Sequence, residues 1–446
     1  SLILDGCYNE GNISVPGGQM MGGIIGYVPS GNARRVVIRN CMNKGKVEGL
    51  SYVGGIIGTA VSGTTTITGC WNAGIVSSSE AGRAGSIKGT DLDSADELRD
   101  CLVDENYKYG DIGNCPTVKS KALGTWGAAW WLNGGSLKQS TGLSWAYDKD
   151  SPYPVLSATG LSSAESWEQI GEALEYGLLK ETQIPTGNGS SIPYQIQTAE
   201  QLAWFAWKVN VGRMTYGSHN INLTEDMDLF GEKYTGYTGE KNLANIEKAL
   251  RWIPIGDSTV RYGGTFDGGG HEIDKMYVNG GERYSGFVGA GSYPCQITKM
   301  GIGPNSKVVA RGEYGGLFVG VNWAVDFGSL EITSCYNRGT IVNEGSSTDV
   351  AAFIGGHYNS YTPPPAIISN CYNAGDTVGF ANLRRGIIEN CYADITLNSQ
   401  NAVHIKNSGS GVTGLSTDEM KSSGVAASLN TFNGTMKTGT DRVWYT

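Results

Sequence analysis

The chain has 446 residues, with 67 glycines, 23 tyrosines, 17% charged residues and a formal charge of −9. That is too little charge and too much aromatic content for a disordered chain, and glycine at this level without a Gly-X-Y period fits many tight turns. An acidic chain with no basic face excludes nucleic acid as an expected partner. No apolar run approaches the roughly 20 residues of a membrane span, so no membrane insertion is expected.

From the first residues onward the chain repeats itself. It opens with LILDGCYNEGNI, then gives GGIIGYV with VVIRNCMNKGKV and GGIIGTA with TTITGCWNAGIV. Later copies read GGLFVGV with LEITSCYNRGTI, and AFIGGHY with IISNCYNAGDT. Cys7 to Cys41 spans 34 residues, Cys41 to Cys70 spans 29, and Cys335 to Cys371 spans 36. Each unit holds short runs of Ile, Val, Thr and Tyr bounded by Gly, Asn and Ser, which read as strands and turns. A repeat of roughly 20 to 50 residues with that content is one coil of a solenoid that buries its apolar face only by stacking. The expected fold is all-β: a parallel β-helix in two tandem modules with short capping helices.

Stacking in register places equivalent residues in columns. Cys7, Cys41 and Cys70 form one expected inward column, and Cys335, Cys371 and Cys391 a second. Met300 takes the cysteine slot in ITKMGIG, which suits core filling better than a disulfide or metal role. Cys101 and Cys115 are expected outside the column, and the sequence leaves a disulfide between them open. The Asn after each Cys-aromatic pair (Asn9, Asn43, Asn72, Asn337, Asn373) reads as a structural turn residue bonding its neighbour in the next coil.

Residues 1–158 are expected to be the later part of a first module whose upstream half is missing. KALGTWGAAWWLN and the strands near Trp145 form its closing element. Residues 159–191 supply a helix with Trp167, Ile170, Leu174 and Leu178 on one face, then a flexible stretch from Pro185 to Ser191. Residues 192–446 form the second module. It opens with a helix in TAEQLAWFAWKVN, where Thr198 and Gln201 make a capping box and Leu202, Phe205, Ala206 and Val209 share a face. Next come a strand in INLTEDMDL and two strands around the glycines of GTFDGGGHEIDKMYV. Its closing element, with Leu429, Asn430 and Trp444, matches that of the first module. The first copy continues past Trp145 to Tyr153, whereas the second stops at Thr446, so the C-terminus reads as truncated.

These motifs, in this order, resemble GLUG-motif proteins. The resemblance covers nearly all of residues 1–156 and 192–446. It implies a right-handed parallel β-helix, an extracellular or cell-wall location in bacteria, and a place in a longer multi-domain, adhesin-like chain. It carries over no catalytic residue.

Enzymatic chemistry is not expected. Asp226 and Asp228 lie in a scaffold motif, and Asp267 beside His271 lies at a glycine turn where Asp bonds its own backbone. His219, His271, His357 and His404 are scattered and no CxxC or HExxH exists, so neither a metal nor a cofactor is expected. The candidate binding surface is the set of loops that leave the coil after the glycine strands, in AGSYPC, VNWAVDFG and HYNSYTPPPA. They carry Tyr293, Trp323, Phe327, Tyr358 and Tyr361, whose rings suit a host glycan or protein surface. The expected function is adhesion, ligand binding or spacing. The alternatives are a polysaccharide-active β-helix enzyme and an accessory arm of a secreted IgA-type protease.

Overall fold

A computed structural model describes residues 1–29, 35–61, 63–81, 83–89, 96–107, 115–139, 142–212, 217–279, 283–323, 328–358, 365–397, 405–406, 411–432 and 435–436. The chain divides into two compact units: Ser1–Ala164 with Glu172–Gln183, and Glu165–Gly171 with Ile184–Thr446. Each is built of parallel sheets stacked in register. Among the described residues, the antiparallel ladders are the hairpins Ser144–Ala146 with Val155–Ser157 and Thr431–Phe432 with Thr435–Met436. No described helix is long and apolar enough to cross a membrane.

In the first unit, Leu2–Asp5, Arg35–Arg39, Thr64–Thr68 and Glu97–Arg99 form one sheet. Tyr8–Asn9, Met42–Asn43, Trp71–Asn72, Leu102–Asp104 and Thr117–Val118 form the next. Between them each coil bends at one residue with positive φ: Gly6, Asn40, Gly69 and Asp100, at 55° to 71°. The following residue is the cysteine. The bend turns its thiol inward, where Val36, Ile38, Ile67 and Leu98 complete a dry core. Burial raises the Cys70 thiol well above its usual value, helped by its cysteine neighbours. Cys101 belongs to this column, contrary to the expectation that placed it outside. Asp100 supplies the left-handed bend before it, and its Sγ donates to Ile67 O in the coil beneath. Neither Cys101 nor Cys115 is in a disulfide. Cys101 follows Cys70 by 31 residues, between the 29 and 34 of the preceding steps, so its register was legible in the spacing.

The asparagine column is a continuous hydrogen-bonded ladder. Asn9 Nδ2 donates to Asn43 Oδ1, and Asn43 Nδ2 to Asn72 Oδ1, both at 2.7 Å. Each Nδ2 also donates to the carbonyl two residues on, Gly11, Gly45 and Gly74. Asn43 and Asn72 are fully buried. The ladder explains the paired glycines of the motif. A Cβ on Gly23 would lie 2.2 Å from Gly55 O and 2.8 Å from Asn43 Cγ, and one on Gly55 would meet Asn72 at 2.7 Å.

The second unit has two seven-stranded sheets. One runs from Tyr194–Ile196 to Gly386–Glu389, the other from Met227–Asp228 to Val412–Leu415. Phe266, Ile297, Ile332, Ile368 and Ile388 are paired coil to coil in one inward row. Met300, Cys335, Cys371 and Cys391 fill the next and are all buried. Cys335 N lies 3.4 Å from Cys371 Sγ, so the expected thiol column exists. A third spine is aromatic: Phe318 stacks on Phe353 at 5.0 Å, and Phe353 packs on Phe380 at 4.6 Å.

The opening helix is Ala199–Gly212, and Leu202, Phe205, Ala206 and Val209 are buried beneath it. Thr198 Oγ1 accepts from Gln201 N, whereas Gln201 Oε1 accepts from Gln197 N, one residue before the expected partner. INLTEDMDL forms two short strands, Ile221–Leu223 and Met227–Asp228. The glycine-turn region forms three, Thr265–Asp267, Glu272–Asp274 and Tyr277–Asn279. The Pro185–Ser191 stretch carries a hydrogen-bonded turn rather than free linker. Asn188 N and Gly189 N both donate to Ile192 O, and Thr186 pairs with Gln195. In the closing elements, Ser120–Leu123 and Trp126–Leu132 of the first unit match Thr417–Met420 and Ser423–Leu429 of the second.

Two outcomes follow from this packing. Intact mass is expected to be the same with and without reductant, and native alkylation to reach only the half-buried Cys7 and Cys115. A species lighter by two hydrogens would contradict the free thiols. Asn43→Ala removes the acceptor of Asn9 Nδ2, one of two donors to Asn72 Oδ1, and the side-chain donor to the Gly45 carbonyl at once. It should lower stability by about 1–3 kcal/mol per orphaned buried group in urea unfolding.

Candidate functional site

The coil positions after the third glycine strand place the candidate loops. Val288–Gly291, Val319–Asn322 and Ile354–His357 pair in register, with Gly291 against Asn322 and Asn322 against His357. Ser292, Trp323 and Tyr358 therefore leave successive coils at one point. Tyr358 lies flat on Trp323, with centroids 3.4 Å apart and planes 14° apart. Trp323 is only 6% exposed, and Tyr358 is 44% exposed. Beneath them Tyr284 meets Trp323 edge-on at 5.5 Å, and the Arg261 guanidinium sits 4.6 Å from the Trp323 ring. Trp323 is thus a fixed platform, and Tyr358 is the face it presents.

Tyr293 is 55% exposed but lies elsewhere on the edge, against Gly328, where any Cβ would fall within 1.9 Å of its ring. Phe327 and Tyr361 lie outside the described residues. Of the five expected residues, the structure brings together Trp323 and Tyr358.

The ring cluster runs on into a polar trough that the sequence did not point to. Tyr284 and Tyr314 are paired across adjacent strands with centroids 5.9 Å apart, and Asp349 is next in the same register. Tyr314 forms part of the wall of an open cavity of about 630 Å³, together with Arg283, Arg311, Glu313, Ser347 and Asp349. Arg283 pairs with Glu313 at 2.7 Å, and Arg311 with Glu344 at 2.6 Å. Burial pushes the Tyr284 hydroxyl up to about 12, despite Arg283 nearby, so it stays protonated. The trough offers fixed donors and acceptors beside a flat ring. Its residues come from different coils, and only the periodicity of roughly 30 residues, followed to the position just before Gly315–Gly316 and its register partners, would have located them.

The acidic candidates serve the backbone. Asp226 Oδ1 accepts from Glu272 N at 2.9 Å and lies 3.2 Å from His271 Nδ1. Asp228 accepts from Phe230 N and pairs with Lys275. Asp267 accepts from Gly269 N at 2.9 Å. His271 therefore meets Asp226, a coil away, rather than Asp267 beside it in sequence. Among the described residues no three His, Cys, Asp or Glu side chains are grouped to hold a metal. His219 and His357 sit at separate positions of the second unit, and His404 lies outside the described residues.

No family model matches the chain, and no curated protein matches it. Among solved structures, the chain is similar to a protein described as a putative immunoglobulin A1 protease from Bacteroides ovatus, solved as a crystal structure. Identity is 17%, the match covers 53% of this chain and 88% of that chain, and the TM-score is 0.31. A likeness of that size carries no inference about this chain's architecture or activity.

Proposed function

We propose that the chain is a non-catalytic repeat region of a bacterial cell-surface or secreted protein, and that its second unit binds a glycan along the aromatic loop edge. The single observation behind this reading is the exposed Tyr358 ring. It is held flat on a buried tryptophan and joined through Tyr284 to a trough of alternating donors and acceptors. A sugar ring has an apolar face for a flat aromatic and hydroxyls for Arg, Glu, Ser and Asp side chains at its rim. The resemblance to GLUG-motif proteins supports the extracellular setting. Asp226, Asp228 and Asp267 each spend an oxygen on a backbone amide at a turn or strand end, a scaffold use that supports a binding role over hydrolysis.

The test separates platform from contact surface. Trp323→Ala opens a cavity and should cost about 3–5 kcal/mol in chemical unfolding. Tyr358→Ala and Arg283→Ala, both at the surface, should leave the unfolding midpoint within the range of ordinary surface substitutions. On a glycan array followed by titration, each of these two is expected to weaken the wild-type ligand at least tenfold. Unchanged affinity in both variants, or no glycan bound by the wild-type chain, would sink the reading.

A further inference from the structure

The first unit carries an ion pair inside its stack. Ile25 pairs in register with Ile57, and Ile57 with Lys88 in the coil after it. Ile57 belongs to the apolar cluster around the thiol column, and Ile25 packs against it. Lys88 therefore stands in an aliphatic slot. Its Nζ lies 2.7 Å from Asp96 Oδ2, and the two side chains are 1% and 2% exposed. The other carboxyl oxygen, Asp96 Oδ1, accepts from Thr65 N at 2.8 Å.

In water an ammonium and a carboxylate stay apart as ions because hydration stabilises both. Here that hydration is lost, and the attraction between the ions has to offset the loss. Condensation to an amide removes both charges and returns one water to solvent. The fold supplies what the reaction needs. It holds the amine against the acyl group, so the encounter is already made. The Thr65 N–H points at Oδ1, the oxygen on which charge grows when nitrogen adds to the carbon.

We infer that Lys88 and Asp96 are joined by an intramolecular isopeptide bond. One proton passes from Nζ to Oδ2 across the ion pair, leaving a neutral amine beside a carboxylic acid. The Nζ lone pair adds to Cγ, and charge collects on Oδ1 against the Thr65 N–H. A second Nζ proton moves to Oδ2, the Cγ–Oδ2 bond breaks with its electron pair, and water leaves. The product amide is uncharged, and its oxygen remains the acceptor for Thr65 N. No oxidation state changes and no co-reactant enters. The bond spans eight positions of the chain and ties the coil of Lys88 to the start of strand Glu97–Arg99. A cut between its ends would leave the chain in one piece. The modification is independent of the glycan reading and of the free thiols.

The test is a tryptic map of the whole 446-residue chain, purified folded and then digested under denaturing conditions. Cleavage after Lys88 is expected to fail, because its Nζ is acylated. Residues 84–99 should appear as one peptide, lighter by one water than the sequence, with fragment ions that join Lys88 to Asp96. Lys88→Arg keeps a cation but offers no amine, and Asp96→Ala removes the acyl group. Each should restore cleavage at position 88 and the full mass. The same peptide made synthetically should keep its water, since no fold holds the two groups together. The wild-type map decides the point even if a variant fails to fold. Ordinary cleavage after Lys88 at full mass would overturn the assignment. So would a water loss that survives Lys88→Arg or arises in the synthetic peptide, because an aspartyl imide would then explain it.

Discussion

The fold depends on the vertical hydrogen bond from one asparagine side chain to the next. A parallel stack of coils has no covalent device to stop one coil slipping against its neighbour, and a one-residue slip would turn every inward residue outward. The Asn9–Asn43–Asn72 ladder removes that freedom. Each amide donates upward at 2.7 Å and also to a glycine carbonyl of its own coil. Its two donors and its acceptor are therefore used in one register only. A buried amide left half-satisfied costs more than an apolar residue would, so the ladder specifies register as well as stabilising it. Asn337 and Asn373 repeat the arrangement in the second unit at 2.8 Å.

Much of the repeating motif follows from that bond. The paired glycines exist because the neighbouring coil's backbone and the ladder amide fill the volume a Cβ would need. The cysteine sits one residue after a left-handed bend, and the space it fills is small and dry. Met300, after the bend at Lys299, fills the same slot and is fully buried. Desolvation raises the Cys371 thiol well above its usual value, so that thiol stays protonated. Asp226, Asp228 and Asp267 of the second unit each accept from a backbone amide and hold a turn or a strand end.

What varies between coils lies on the loop edge and at the closing elements. The core repeats because each coil must match its neighbour, whereas a loop leaving the stack answers only to the loops above and below. Trp323 and Tyr358 lie at such positions, at the ends of strands Val319–Asn322 and Ile354–His357.

By itself the sequence determined the coil, the inward rows and the closing helices. A period near 30 residues records which positions meet their own copies, and that information is local to each repeat. It determined too that Asn9, Asn43 and Asn72 are structural. The 31-residue step from Cys70 to Cys101 also carried that cysteine's place in the thiol column, and the tertiary structure showed the left-handed bend at Asp100 that turns it inward. The tertiary structure alone decided that Trp323 is a buried platform and Tyr358 its exposed face, since two rings of similar chemistry differ only in which neighbour lies above them. It paired His271 with Asp226 rather than Asp267, because distance through the stack is set by the 4.8 Å step between coils and not by distance along the chain.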